Sequence, residues 1–539
     1  MKIQRVLCVG VLTILYTLSG WADVCPTAIT TFLQSKATGT LTCFHTADLR
    51  ASVPPTTPIT PADNSIATFA NGTTPLPGLL GGYGSFTPTT DLTVISNGPA
   101  TVPAPTNGPV PGWEVYGWYA DDPLGEARFL LRFPDTWNGK LVVAGASGTR
   151  SEFNGDWAWS DYVLQEGYAY ASQNKGVLNL YFLSLTDPVY PNDTPGADPL
   201  ACRVNPGSEA AYWVHFYDND PGKPFTQWTR YMIETAQLAQ GAADAFYGKW
   251  PSKTYAVGTS NGGYQVRKVV EQAPEVFDGG VDWEGTFIDP FGNILISLPP
   301  AIKNFPAYVA SNYDPDSQAA KNIRAAGYPP DIVTRDSNGN EVASLWGNYS
   351  DHFWEVTMCQ WQKRFDPTYN TYGNLETNPA GNLPNYNYAK RAFTSDVALN
   401  LIPVTTTGKI KRPLITVAGT MDSLLPIKDQ ARAYESLVNF WMHTDRSNDK
   451  VDYRLYEVQN GNHIEGYVCT AAPCATGTTA SFPQLQEIQP HAQKAFELLV
   501  DYVEHNSSLP PSQCIPVGGQ ITDHPGNGDT GHCKDLFVP

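Results

Sequence analysis

The chain has 539 residues, with 34 Lys and Arg against 52 Asp and Glu and a formal net charge of -18. That excess of carboxylates repels phosphate backbones and anionic lipid surfaces, so neither nucleic acid nor a membrane is an expected partner. With 42% hydrophobic and 12% aromatic residues, the chain can bury a sizeable core, which excludes wholesale disorder.

Met1-Lys2-Ile3-Gln4-Arg5 is a basic head, Val6 to Leu18 an apolar run, and Ser19-Gly20-Trp21-Ala22 sets small residues ahead of a cut after Ala22. This is the pattern of a cleaved secretory signal over 1–22. The run is too short to cross ~30 Å of hydrocarbon as a helix, so a secreted protein, extracellular or periplasmic, is expected. Cys8 lies in the leader. Cys25, Cys43, Cys202, Cys359, Cys469, Cys474, Cys514 and Cys533 remain, an even set that an oxidising compartment would join as disulfides. Pairing near neighbours gives Cys25–Cys43, Cys469–Cys474 and Cys514–Cys533 and leaves Cys202–Cys359, although spacing alone does not fix the connectivity. The cysteines lack the spacing of a zinc site, and no metal or cofactor is called for.

Residues 23–112 are rich in Pro, Thr and Gly and read as an extended or β-rich N-terminal extension. Over 113–285, strands are expected at Ala127 to Phe133, Lys140 to Gly145, Tyr168 to Ser172 and Thr254 to Val257. A long helix over Thr226 to Tyr247 carries Met232, Ala236, Ala239 and Ala243 at helical spacing, and a second helix runs from Gly262 to Glu271. From 286 to 410 the alternation lapses into a stretch rich in Trp, Tyr, Asn and Pro, which reads as an inserted cap or lid. Within it, Asp336-Ser337-Asn338-Gly339-Asn340-Glu341 offers oxygen ligands, but its Gly is misplaced for a calcium loop, and a hairpin turn is the better reading. The 411–539 segment resumes with strands at Leu414 to Ala418 and Asp452 to Val458, a helix over His491 to His505, and a Gly-rich tail. Strands alternating with helices argue a mainly parallel α/β sheet.

The strongest chemical signal is Gly258-Thr259-Ser260-Asn261-Gly262-Gly263, between an expected strand and an expected helix. A tight strand-to-helix turn exposes a serine hydroxyl there, and glycines two before and two after remove the Cβ atoms that would collide. The Asn261 N–H, at the start of the helix, is placed to donate to an oxyanion. A serine nucleophile needs a base, and the base an orienting carboxylate. The expected strand 414–418 runs into Asp422, and the strand 452–458 into His463. Taken singly, Asp422 could be a turn or cap residue and His463 a surface-loop histidine. In the order Ser260, Asp422, His463, each after a strand, they form a candidate triad. The second oxyanion donor is expected from Gly145-Ala146-Ser147-Gly148, with Ser147 or its neighbours donating.

Phe133-Pro134-Asp135-Thr136-Trp137-Asn138-Gly139-Lys140, Gly167 to Ser172, Ser260-Asn261-Gly262-Gly263, Ala273 to Gly279, Gly419-Thr420-Met421-Asp422 and Asn462-His463 together resemble the tannase and feruloyl esterase family of α/β-hydrolases. The chain is also similar to extracellular 3-hydroxybutyrate oligomer hydrolases. The resemblance implies an α/β-hydrolase sheet with an inserted cap and secreted hydrolysis of carboxylic esters, the lid supplying an acyl or alcohol pocket. The tannase pattern has a disulfide tying the loops of serine and histidine; Thr259 and Ile464 stand in its place here, and the Ser-Asn-Gly-Gly form leans toward the oligomer hydrolases. The expected activity is therefore a serine esterase acting on small-molecule, extracellular aromatic, or oligomeric or polymeric esters, such as hydroxyalkanoate oligomers, feruloyl-type esters or polyesters. An amide or peptide hydrolase shares the same triad chemistry, and a polymer-binding protein with a degenerate triad is the competing class.

Overall fold

The computed structural model describes residues 25–36, 41–50, 108–122, 127–148, 152, 159–176, 181–184, 202–204, 212–215, 225–371, 381–444, 452–463, 467–468 and 482–539. The expected signal 1–22, most of 23–112 and the Cys469 and Cys474 pair lie outside the described residues.

Ten strands form the central sheet: β1 (Thr42–Thr46), β2 (Gly112–Trp118), β3 (Arg128–Pro134), β4 (Lys140–Gly145), β5 (Ala169–Gln173), and, after β6 (Tyr181–Ser184), β7 (Cys202–Val204) and β8 (Tyr212–His215) of a separate small sheet, β9 (Lys253–Thr259) and β10 (Gly279–Trp283). A hairpin of β11 (Val333–Arg335) and β12 (Glu341–Ser344) precedes the last three, β13 (Leu414–Gly419), β14 (Tyr453–Val458) and β15 (Gln513–Ile515). The spatial order is β1-β2-β3-β5-β4-β9-β10-β13-β14-β15. Pairing is antiparallel from β1 to β5 and parallel from there to β15. This is a mixed, mostly parallel sheet with flanking helices, the architecture that the α/β-hydrolase resemblance implies.

The strands are apolar on both faces because helices cover both. Leu141, Val143, Ala256 and Leu414 pack with Met232, Ala239, Val266 and Val438 on one side. Their neighbours Val142, Tyr255 and Ile415 turn to the other side, against Trp159, Phe496 and Leu499. The period-2 alternation of the pleat thus feeds two cores at once. The long helix forms over Thr226–Tyr247 and ends at Gly248 with φ 69°.

Residues 286–410 enter the chain between β10 and β13. They form helices Ile294–Ala310, Gln318–Ala325, Leu345–Tyr349, Glu355–Phe365 and Tyr388–Thr394 and the β11–β12 hairpin. The hairpin turn sits where Asp336 was expected to make one, its carboxylate accepting from the N–H groups of Asn338 and Asn340, each at 2.8 Å. Trp346, Tyr349, Trp354 and Trp361 join a third apolar cluster with Tyr264, Met421 and Leu425. These four aromatic residues of the insert are therefore packed, and packed against the loops that follow the central strands, whereas Phe291 and Phe393 stay exposed.

Both chain ends add strands to the central sheet. The 23–112 segment reads from the sequence as an extended or β-rich N-terminal extension. It includes a helix, Thr27–Ser35, whose Ile29 and Leu33 are buried, because two apolar residues one turn apart suffice to dock a short helix on a neighbouring surface. Its residues 42–46 are the edge strand β1, paired with β2 and tied back by Cys25–Cys43. The tail likewise adds β15 to the opposite edge, clasped by Cys514–Cys533. Cys202–Cys359 is the third disulfide among the described residues.

Candidate active site

Ser260 follows β9 directly and has φ 58° and ψ -120°, a left-handed conformation that a non-glycine residue holds only when its surroundings impose it. Here its N–H donates to the Trp283 carbonyl at 2.9 Å, and its own carbonyl accepts from Tyr264 and Thr286 at 3.0 and 3.2 Å. Close backbone packing makes the flanking glycines obligatory. A Cβ on Gly258 would lie 2.4 Å from the Gly262 carbonyl oxygen, and one on Gly262 would lie 2.4 Å from that of Gly145. The elbow is thereby locked against the end of β4, and helix Asn261–Gln272 starts from it.

Asp422 lies three residues beyond β13 and His463 five beyond β14. The two loops are stitched together by Met421 N–H to Gly461 O at 2.8 Å and Thr420 N–H to Val458 O at 3.0 Å. Asp422 is buried; one carboxylate oxygen accepts from the N–H groups of Leu424 and Leu425 at 2.8 and 2.6 Å, and the other lies 2.8 Å from His463 Nδ1. An ionised carboxylate only accepts, so Nδ1 carries the hydrogen and Nε2 is left as the basic nitrogen. Among the described residues no hydrogen bond joins the Ser260 hydroxyl to this ring; such contacts commonly tighten only with substrate in place.

The structure adds two residues that the sequence did not single out. Glu284, the residue after β10, is 3% exposed and has φ 52°. One of its carboxylate oxygens accepts from Gly419 N–H at 3.0 Å, and the other is 3.5 Å from His463 Nδ1. Glu284, Asp422 and His463 bring potential ligand atoms within 4.8 Å of one another. The ring nitrogen that would bind a cation already shares its hydrogen with Asp422, so the group reads as a hydrogen-bond cluster. Glu284 could have been found by the rule that chemistry gathers at the C-terminal ends of parallel strands, applied to β10 as it was to β13 and β14.

The second is Lys175, which is buried and has φ 66°. Its ammonium donates to the carbonyls of Ser147 and, at 2.6 Å, Gly148, and lies 5.1 Å above the Trp228 ring. Gln265 donates to the Ala146 carbonyl at 2.8 Å. The carbonyls of 146–148 are thus all engaged by buried side chains. That loop also approaches the elbow: a Cβ on Gly148 would lie 4.0 Å from the Asn261 side-chain nitrogen. Asn261 itself begins the helix, where the first N–H groups have no partner within the helix, and its side chain is held by Thr286 at 2.9 Å. Lys175 left no signal in the sequence, because its partners are backbone carbonyls distant along the chain.

The insert reaches the same place. Tyr349 donates to Asn462, beside His463, at 3.0 Å, and the Trp354 indole donates to the Ser423 carbonyl, beside Asp422, at 2.8 Å. Burial, with the nearby Asp422, Tyr467 and Glu284, pushes the Tyr349 phenol well above its usual range, so it stays neutral.

Comparison with known proteins bears out the resemblance read from the sequence. A family model described as 3HB-oligomer hydrolase matches residues 375–528, the stretch that contains Asp422 and His463. The chain is 25% identical over 154 residues to the mono(2-hydroxyethyl) terephthalate hydrolase of Piscinibacter sakaiensis, a match spanning 29% of this chain and 22% of that protein. Among solved structures it is similar to feruloyl esterase B from Aspergillus oryzae, at 13% identity and a TM-score of 0.42, covering 75% of this chain and 83% of the other. It is also similar to a tannin acyl hydrolase from Aspergillus niger, at 13% identity and a TM-score of 0.40, covering 75% and 80%.

Proposed function

We propose that the protein is a secreted serine hydrolase of carboxylic esters. Ser260 attacks the ester carbonyl while His463 Nε2 takes its proton; His463 then delivers that proton to the leaving alcohol, and water releases the acyl group by the reverse steps. Asp422 holds the ring in the tautomer this requires and balances its charge when protonated. The N–H groups of Asn261 and of the 145–148 loop, Ser147 among them, stabilise the oxyanion. The 286–410 segment acts as the cap. The printed activities of the relatives favour oligomeric or aromatic esters, such as hydroxyalkanoate oligomers, feruloyl-type esters or polyester fragments. The disulfides favour an oxidising compartment, and no described helix is long and apolar enough to cross a membrane.

The observation that carries this reading is the Asp422–His463 hydrogen bond of 2.8 Å, on the loops after β13 and β14, in a chain whose β9 ends in a strained serine elbow. The test is labelling with a fluorophosphonate probe. The protein should form one adduct, at Ser260, and Ser260→Ala should form none and lose p-nitrophenyl butyrate hydrolysis by at least about a thousandfold. Folded wild-type protein that takes no probe would instead support a binding protein. Faster turnover of p-nitroanilides than of p-nitrophenyl esters would favour the amidase.

A further inference from the structure

We propose that Glu284 is a second carboxylate partner of the His463 imidazole, a positioning residue that raises the basicity of the ring and can hold its Nδ1 hydrogen in place of Asp422. The inference deepens the serine hydrolase reading and rests on it. It starts from the geometry. Asp422 stands 2.8 Å and Glu284 3.5 Å from the same ring nitrogen, and both come from strand ends next to each other in the sheet, β13 and β10.

Glu284 is held there firmly. Its N–H donates to Val417 O at 2.8 Å, Gly419 N–H donates to its carboxylate at 3.0 Å, and the next N–H, that of Gly285, donates to the buried Asp282 at 2.6 Å. A left-handed glutamate persists only where such contacts over-determine it. If Glu284 served merely to accept from Gly419, a glutamine would do so without the desolvation that a buried carboxylate suffers. What a carboxylate adds at this position is negative charge next to the ring. When the proton of Ser260 arrives on Nε2, the imidazolium faces two acceptors at Nδ1 instead of one, and the ring is harder to deprotonate until the leaving group needs the proton. Among the described residues, the other titratable groups around the cluster are the phenols of Tyr349, Tyr467 and Tyr328. Burial pushes those of Tyr349 and Tyr328 well up, so neither competes as an anion.

The test compares Glu284→Gln, Glu284→Asp and the parent, all in a Ser260→Ala background, following the His463 ring by NMR through a pH titration, a measurement that needs no turnover. Removing a negative charge beside the ring lowers its affinity for a proton, so the midpoint should fall by about one pH unit in E284Q and return most of the way in E284D. With Ser260 present, the acidic limb of kcat/KM should move down with it. Asp422→Asn should keep residual turnover that the D422N/E284Q double variant loses by a further tenfold or so. An unmoved midpoint in E284Q, with folding intact by circular dichroism, would overturn the proposal, as would a double variant no slower than D422N. If the wild type hydrolyses no ester and takes no fluorophosphonate, the hydrolase reading fails, while the NMR midpoint still decides whether Glu284 acts on the ring.

Discussion

Lys175 holds the loop beside the candidate elbow by its backbone carbonyls. A carbonyl and the N–H that follows it point in opposite directions from one peptide plane, so engaging the Ser147 carbonyl fixes where the Gly148 N–H points, as Gln265 on the Ala146 carbonyl does for the Ser147 N–H. Lys175→Met keeps the length of the stem over Trp228 but removes all three donors. We expect kcat to fall by about ten- to a hundredfold, less than for loss of a direct oxyanion donor, with KM changed little; steady-state kinetics on p-nitrophenyl butyrate checks this. An unchanged kcat would separate Lys175 from the chemistry. At this scale the candidates Ser260, Asp422 and His463 could be picked from the sequence, because a serine between a strand and a Gly-rich helix start, and a carboxylate and an imidazole just past two strand ends, leave local patterns. Glu284 and Lys175 were not, since each acts through contacts between segments remote in sequence. The sequence does place Glu284 directly after Trp283, but β10 is glycine-rich and short and did not announce itself as a strand.

The elements follow the same logic. The helix over Thr226–Tyr247 was readable from its apolar residues at helical spacing, and strands β4 and β13 from the apolar runs that burial on both faces writes. Helix Ile294–Ala310 was hidden by Pro299, Pro300 and Pro306, residues that ordinarily break helices and here are tolerated in the insert. The helix Gln489–His505 carries a consequence for acid stability. Burial pushes its His491 imidazole down from 6.5 to about 4, so the folded protein resists the proton that the unfolded chain accepts. The sign follows: the group imposes no penalty above about pH 6.5, and stability is lost as the pH falls from there to about 4, by roughly 3 kcal/mol in all. His491→Gln removes this titration. The difference in unfolding free energy between the two proteins, measured in urea at pH 7 and pH 4.5, should shift in favour of the variant at the lower pH. A difference that is the same at both pH values would rule the effect out.

For the molecule as a whole, the question is what keeps the insert in register with the sheet that supplies the site. Some of it is polar, through Tyr349 and Trp354 to the loops of His463 and Asp422; much of it is the shared apolar cluster. A further tie is covalent and runs from the insert to the small sheet of β6, β7 and β8. Cys202, on β7, joins Cys359, on the helix Glu355–Phe365, across 157 residues of sequence, and both sulfurs are buried beside Phe225 and Trp361. A crosslink closing so long a loop restricts the unfolded chain strongly, which points to a contribution of about 2–4 kcal/mol. The paired substitution Cys202→Ala and Cys359→Ala, which avoids a free thiol, should lower the urea midpoint by a corresponding amount. Because the small sheet and the insert are what the bridge connects, the first cleavage by a limiting protease should move into 286–410, and KM should rise more than kcat falls if the insert shapes the substrate pocket. Equal urea midpoints for the variant and the parent would mean that the bridge adds nothing to the packing and hydrogen bonds that already hold the insert.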